Sequence, residues 1–162
     1  YNDPYPPDYE GTILGEQQWS WLENLLKNST ADLHIIASGI QVLSPDHRFE
    51  KWQNYPNEYK RLISLLKTYA VKNPVVLSGD RHMSELSQKD LGYTMVYDAT
   101  ASGMTEALTI NLSESNPYRI GQPVGINNYG VLDVDWENRT MGFSFHDIYG
   151  KTLFAYSVSL EN

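Results

Sequence analysis

The chain has 162 residues, no cysteine and a formal net charge of −8. This length supports one domain with a hydrophobic core, and no apolar run approaches the roughly 20 residues of a membrane-spanning helix. The acidic balance argues against nucleic-acid binding, which needs a basic surface, and the lack of cysteine excludes disulfides and thiolate zinc sites. Any metal must therefore be held by carboxylate, imidazole, amide or phenol groups.

Residues 1–13 are rich in proline and tyrosine and predict a loop with neither an initiator methionine nor an apolar leader. We expect either that a leader has been removed or that the chain is the back part of a longer protein. Dispersed acidic residues and three Asn-x-Ser/Thr sequons favour a secreted, extracellular or periplasmic protein; the sequons are at Asn28, Asn111 and Asn138.

The first half of the chain alternates helices and strands. Apolar residues recur at helical spacing over residues 14–27 and again from Pro56 to Val71, which predicts two helices. A strand is predicted over residues 33–38, with His34 as a core or edge histidine rather than a ligand. The loop over residues 44–55 mixes charges with a tryptophan, a pattern found both in site loops and in solvated turns.

A second predicted strand over residues 74–78 is the centre of the chemistry. Its apolar run turns polar at Gly79, which we expect to provide a tight turn, and Asp80 and His82 follow two residues apart. Both are metal-ligand types, and ligands of α/β sheets bind beyond the carboxyl ends of the strands. The structural alternative is that Asp80 caps a turn and His82 is a surface histidine.

The second half is predicted to be rich in β-structure. We expect a short helical turn carrying Glu85 at residues 83–88, a strand at 91–97 and a long irregular excursion at 104–127. Three further strands follow as an antiparallel meander, with His146 facing solvent; they cover residues 129–136, 141–148 and 152–160. The fold class is therefore α/β (α+β), and the few parallel strands indicate half of a larger layered domain.

Several segments, taken in order, resemble the C-terminal half of PhoD-like alkaline phosphatases/phosphodiesterases, which belong to the calcineurin-like metallophosphoesterase superfamily. The matching segments are Leu14-Gly15-Glu16-Gln17-Gln18-Trp19, Ile36-Ala37-Ser38-Gly39-Ile40-Gln41-Val42, Glu50-Lys51-Trp52-Gln53-Asn54-Tyr55-Pro56, Leu77-Ser78-Gly79-Asp80-Arg81-His82, Thr100-Ala101-Ser102-Gly103-Met104-Thr105, Asn128-Tyr129-Gly130 and Asp147-Ile148-Tyr149-Gly150.

The resemblance implies a two-sheet sandwich flanked by helices, with metal ions at the strand ends. This chain would be the C-terminal part of one catalytic domain, with a loop at 1–13, a helix/strand half at 14–90 and a β-rich half at 91–162. The metal ions would be Ca, Fe, Mn or Zn. The family's earlier aspartate and asparagine motifs are missing, so the N-terminal portion is implied as a covalent or separate partner.

The resemblance also assigns roles to individual residues. It implies Asp80, His82 and Glu50 as metal ligands, with His82 and Arg81 as catalytic residues on a phosphate-ester substrate. Gln41 and Asn54 are expected to line the site beside these groups. Glu85 is expected to orient the His82 ring.

Two other interpretations stay open. The tyrosine- and tryptophan-rich composition also suits a non-catalytic extracellular binding or structural domain. A true family match could alternatively represent an inactive fragment. Neither the preference for phosphate monoesters or diesters nor the metal identity follows from the residues.

Overall fold

The computed structural model describes residues 4–6 and 9–161, apart from the side chains of Ile110 and Asn111. The predicted N-terminal loop therefore lies partly outside the described residues, as does the side chain of the Asn111 sequon. Asn28 and Asn138, the other two sequon asparagines, are exposed. None of the described helices combines the length and apolar character needed to cross a bilayer.

Two α-helices and eight strands build the fold. The helices are α1 (Gly15–Asn28) and α2 (Pro56–Thr68), with 3-10 helices at Trp52–Asn54 and Thr109–Ser113. The strands are β1 (His34–Ala37), β2 (Pro74–Ser78), β3 (Ser84–Asp90), β4 (Met95–Ala101), β5 (Arg119–Val124), β6 (Asn128–Asp135), β7 (Thr140–Asp147) and β8 (Thr152–Ser159).

The strands form two sheets. The first has the order β1-β2-β4-β3-β5, in which β1, β2 and β4 are parallel and β3 is antiparallel to both of its neighbours. The second is the antiparallel meander β6-β7-β8 that the sequence predicts. This mixed α/β arrangement agrees with the predicted fold class, whereas the metallophosphoesterase layering and the partial-domain assignment stay predictions.

Two hydrophobic cores lie on opposite faces of the first sheet. On one face, Val76 and Val96 pack with the helices, whose buried residues include Trp19 and Leu66. On the other face, Val75 packs with β7 in the core shared with the second sheet. Side chains of one strand alternate between faces, so neighbouring valines of β2 contribute to different cores.

The start of α1 depends on α2. Leu14, at the N-cap position, provides no side-chain cap. Instead, the carboxylate of buried Glu58 in α2 accepts hydrogen bonds from Thr12 Oγ1 at 2.6 Å, Ile13 N at 2.7 Å and Trp19 Nε1 at 2.9 Å. A carboxylate at a helix N-terminus satisfies free N–H groups and complements the helix dipole. Glu58 thereby fixes the packing of the two helices.

Three local predictions are wrong. Residues 83–88 do not form a helical turn, because β3 pairs with strands on both sides and buries Leu86 between the sheets. The 104–127 excursion contains strand β5, whose Gly121 and Pro123 weaken the β signal. The strand predicted at 91–97 begins later, at Met95, and continues to Ala101.

Two histidines fall where the sequence predicts. His34 lies on edge strand β1, where Nδ1 is 2.8 Å from the Lys72 carbonyl oxygen and Nε2 is 2.8 Å from Ser29 Oγ. His146 lies on the outer face of the second sheet, half-buried because its ring stacks on Tyr129 with centroids 5.3 Å apart. Both contacts are structural.

Candidate functional site

The candidate site occupies the loop of residues 79–83, which leaves the carboxyl end of β2 and crosses to β3. Asp80 is exposed and His82 is partly exposed. Their backbones adopt left-handed φ angles of 61° and 53°. A non-glycine residue in this region costs about 1–3 kcal/mol and clusters at functional sites. The expected turn at Gly79 is thus made by Asp80 and His82, since Gly79 has no positive φ.

His82 has a free ring nitrogen. Nδ1 is buried and has no hydrogen-bond partner among the described residues; the Glu106 Oε2 atom is 3.8 Å away. The segment that carries Glu106 is held against this loop, because Leu108 N donates to the His82 carbonyl oxygen at 2.7 Å. An unpaired buried nitrogen is available to bind a ligand. No sequence pattern points to Glu106, which falls in the predicted irregular excursion.

Arg81 points away from solvent between these two residues. Its side chain is 2% exposed, forms an ion pair with Glu114 and lies over the Phe49 ring, 4.8 Å from the centroid. Burial lowers the pKa of Arg81, while Glu114, Glu85 and Asp80 oppose that shift. The guanidinium is therefore held within the protein.

A buried set of hydroxyl and carboxylate groups lies behind the loop, at the ends of β2, β3 and β4. Ser78 and Glu85 both pair in register with Thr100, and Asp98 lies two residues earlier on the same face of β4. We call these four residues the polar row. Ser78 Oγ lies 2.6 Å from Asp98 Oδ1 and 2.8 Å from Thr100 Oγ1. The period-two spacing of Asp98 and Thr100 is a signal that sequence reasoning missed.

The polar row brings two of the predicted residues together. Gln41 Nε2 donates to Glu85 Oε1 at 2.6 Å and to Thr100 Oγ1 at 2.7 Å. With the amide nitrogen occupied, Gln41 Oε1 is left buried with no partner within the described part of the chain. Glu85 also accepts from Arg119 Nε at 2.5 Å and from Asn116 Nδ2 at 3.3 Å. These groups surround Glu85, and its expected role in orienting the His82 ring stays a prediction.

Asp98 holds the loop that carries Gln41. Its Oδ2 accepts hydrogen bonds from Val42 N and Leu43 N, each at 2.7 Å. Burial raises the pKa of Asp98 to about 6, opposed by the bonds from Ser78, Leu43 and Val42 and reinforced by the charge of Glu85. This carboxylate ties the end of β2 to the Gln41 loop.

The loop before α2 contributes the remaining predicted residues. Glu50 is exposed, and Tyr55 Oη donates to its Oε1 at 3.2 Å. Asn54 is fully buried, and its Oδ1 accepts from Lys51 Nζ at 2.6 Å. Over the described residues, no three His, Cys, Asp or Glu side chains come close enough to hold a metal ion.

His47 is a buried group that sequence reasoning did not single out. Its Nδ1 accepts a hydrogen bond from Phe49 N at 3.2 Å. Burial lowers the pKa of His47 to about 3, and the positive charges of Arg81 and Lys51 lower it further. The imidazole is therefore neutral near physiological pH and sits beside the Arg81 ion pair.

Comparisons with known proteins identify the family of this chain. Alkaline phosphatase D of Bacillus subtilis (strain 168) is 36% identical over an 81-residue alignment that covers 45% of this chain and 14% of that protein. A solved structure titled "Structure of PhoD" superposes on this chain with a TM-score of 0.70 at 21% identity. The superposition covers 93% of this chain and 33% of the solved chain.

The superposition shows a shared fold, and the chain spans only a minor part of either relative. The family model of PhoD-like phosphatases matches residues 2–142, which is most of the sequence. This match confirms the resemblance inferred from the motifs. The chain belongs to the PhoD-like phosphatase family.

Proposed function

We propose that this chain provides part of the active site of a metal-dependent phosphatase that hydrolyses phosphate mono- or diesters. Family membership supports phosphatase chemistry. The observation that carries the assignment to this loop is the pair Asp80 and His82, both held in left-handed backbone conformations just beyond a central strand. Such backbone strain persists only where surrounding contacts hold it, and it clusters at active sites.

Asp80 and His82 would hold a metal ion. The free His82 Nδ1 and the exposed Asp80 carboxylate are donor types that suit Fe, Mn or Zn, and the carboxylate also suits Ca. When bound, such ions polarise a phosphoryl oxygen and lower the pKa of a coordinated water. Glu50 stays a proposed third ligand, and it would have to be joined by groups from outside this chain.

The other predicted residues would shape the site around the ligands. Gln41 presents a buried, unpartnered carbonyl oxygen because Glu85 and Thr100 occupy its amide nitrogen. Asn54 lies in the same loop region, and its Nδ2 also has no described partner. These atoms are suited to orient a water or a ligand, whereas Glu85 acts through Gln41.

We further propose that an N-terminal portion completes the domain against the β1 side of the molecule. β1 and β6 are edge strands of their sheets. An apolar cavity of about 360 Å³ lies between them, bordered by β6 and by Ser38 and Gly39 just after β1. Around β1, three large apolar side chains are exposed: Trp21 by 58%, Leu25 by 43% and Ile35 by 52%. Open strand edges beside apolar surface pair readily with further strands. The superposed PhoD chain is about three times as long, which leaves ample sequence for this role.

Activity and metal content of the native protein test the function. Asp80→Asn and His82→Gln should each lower kcat/KM for p-nitrophenyl phosphate or its bis-ester by at least about 100-fold, with loss of bound metal. His146→Gln and Asp133→Asn are matched controls, since both residues lie on the second sheet and outside the site. Full activity in the His82→Gln protein would overturn the assignment.

Mass determination and N-terminal sequencing test the second proposal. The native material should contain a longer polypeptide or a tightly bound second chain. Ile35→Lys should lower its activity, whereas Tyr149→Lys, at the 88% exposed hairpin tip, should not. A fully active, unaccompanied monomer that starts at Tyr1 would contradict it. A stable protein without metal or phosphatase activity would favour a non-catalytic domain or an inactive fragment. The predicted secreted or periplasmic location stays a prediction.

A further inference from the structure

We propose that Arg81 is a positioning residue, which holds Asp80 and His82 in place from inside the protein, rather than a group that contacts the substrate phosphate. The proposal rests on the proposed function, because it concerns the same loop. Its basis is that Arg81 alone of the three residues is buried, being 2% exposed, between two neighbours that reach the surface.

The backbone of this loop requires an anchor. Asp80 and His82 both have positive φ, a conformation that L-residues leave unless other contacts hold it. Arg81 lies between them, and its own N–H donates to Ser102 Oγ at 2.9 Å. Fixing the central residue by both its backbone and its side chain restricts the residues on either side.

The Arg81 side chain joins three separate segments. Its guanidinium pairs with Glu114, which follows the 3-10 helix Thr109–Ser113, and lies 4.8 Å from the centroid of Phe49 in the loop before α2. A planar guanidinium suits both contacts at once, because it forms ion pairs in its plane and stacks through its face. Through Arg81, the loop 79–83 therefore contacts both the 104–118 segment and the 44–51 loop.

The same contacts argue against a direct role on phosphate. A guanidinium that binds a substrate must be open to the site, whereas this one is enclosed and already faces a carboxylate. Removing one member of a buried ion pair leaves the other charge uncompensated, while removing both is far less disruptive. This difference provides the test.

The test is a double-mutant cycle in the native protein, with Arg81→Met, Glu114→Gln and the double variant. Positioning through Glu114 predicts that each single variant lowers kcat about tenfold, with the KM for p-nitrophenyl phosphate and the inhibition constant of inorganic phosphate changed by less than about threefold. The double variant should be no worse than either single variant. If Arg81→Met does not fold, Arg81→Lys replaces it in the same comparison.

Direct contact with phosphate predicts the opposite pattern. Arg81→Met would then raise both KM and the phosphate inhibition constant about tenfold or more, while Glu114→Gln would change neither, and that result would overturn the proposal. Amide hydrogen exchange provides a readout independent of activity. Glu114→Gln should speed exchange at residues 80–82, and unchanged exchange there would refute the anchor even if the protein proved not to be a phosphatase.

Discussion

Replacing Asp98 by asparagine should remove a pH dependence of stability that the fold imposes on this residue. Asp98 is 1% exposed and its carboxylate accepts three hydrogen bonds of 2.6–2.7 Å. Asparagine can keep this geometry, since Oδ1 can accept from the two backbone N–H groups and Nδ2 can donate to Ser78 Oγ. The variant therefore removes the charge and largely keeps the bonds.

The magnitude follows from the pKa. Burial raises the pKa of Asp98 from 3.8 to about 6, so the folded protein binds this proton more tightly than the unfolded chain. The resulting stability is fully present below pH 3.8 and is lost as the pH rises through about 6. At 1.36 kcal/mol per pH unit, the shift corresponds to about 3 kcal/mol.

Urea denaturation of the native protein and the Asp98→Asn variant between pH 4 and pH 8 measures this effect. The difference in the free energy of unfolding should move by about 2 kcal/mol in favour of asparagine as the pH rises from 4 to 8, since part of the full effect lies below pH 4. Asp133→Asn, which removes an exposed carboxylate from β6, is the control. Parallel pH profiles for wild type and Asp98→Asn would refute the argument.

Three further predictions concern His47, Glu58 and Gly130. Burial and the charges of Arg81 and Lys51 lower the pKa of His47 to about 3, so its NMR ring signals should not titrate between pH 8 and pH 4. A titration midpoint near 6.5 would contradict the buried position of the His47 ring. Glu58→Gln should lower the free energy of unfolding by about 1–3 kcal/mol in urea denaturation, because the Glu58 carboxylate satisfies several donors at the start of α1. An unchanged free energy of unfolding would show that solvent replaces these hydrogen bonds. Gly130→Ala should cost about 1–3 kcal/mol, since the added Cβ would lie 2.8 Å from Ala101 Cβ where the sheets approach. Gly142→Ala is its control, because the added Cβ there would meet only the Asp133 carbonyl oxygen, at an ordinary contact distance of 4.0 Å.

The parts of the fold that the sequence predicts are those with strong local signals. Both helices, the central strand β2 and the final meander carry clear helical or alternating patterns, and the structure places them within a few residues of the predicted bounds. β3 gave no such signal, because Ser84, Glu85, Ser87 and Gln88 are compatible with a helix and only pairing with β4 and β5 fixes the strand. Its conformation is a property of the sheet rather than of the segment.

For the candidate site, as for the fold, the sequence predicts the position along the chain but not the long-range contacts. The change from an apolar run to Asp80 and His82 locates the loop, because residue type and strand position are both readable from the chain. The environment of each side chain is not, because it depends on contacts distant in sequence. Arg81 meets Glu114, 33 residues away, and Gln41 meets Glu85, 44 residues away. No local sequence pattern predicts such pairs.

The polar row has a consequence for how the strands align during folding. If β3 slipped by one residue along β4, Glu85 would enter the apolar core between the sheets and Leu86 would face Gln41 and Arg119. Both exchanges would be unfavourable, since the first buries a charge without partners and the second leaves polar groups without an acceptor. The polar row behind the candidate site therefore also specifies the register of the sheet that carries it.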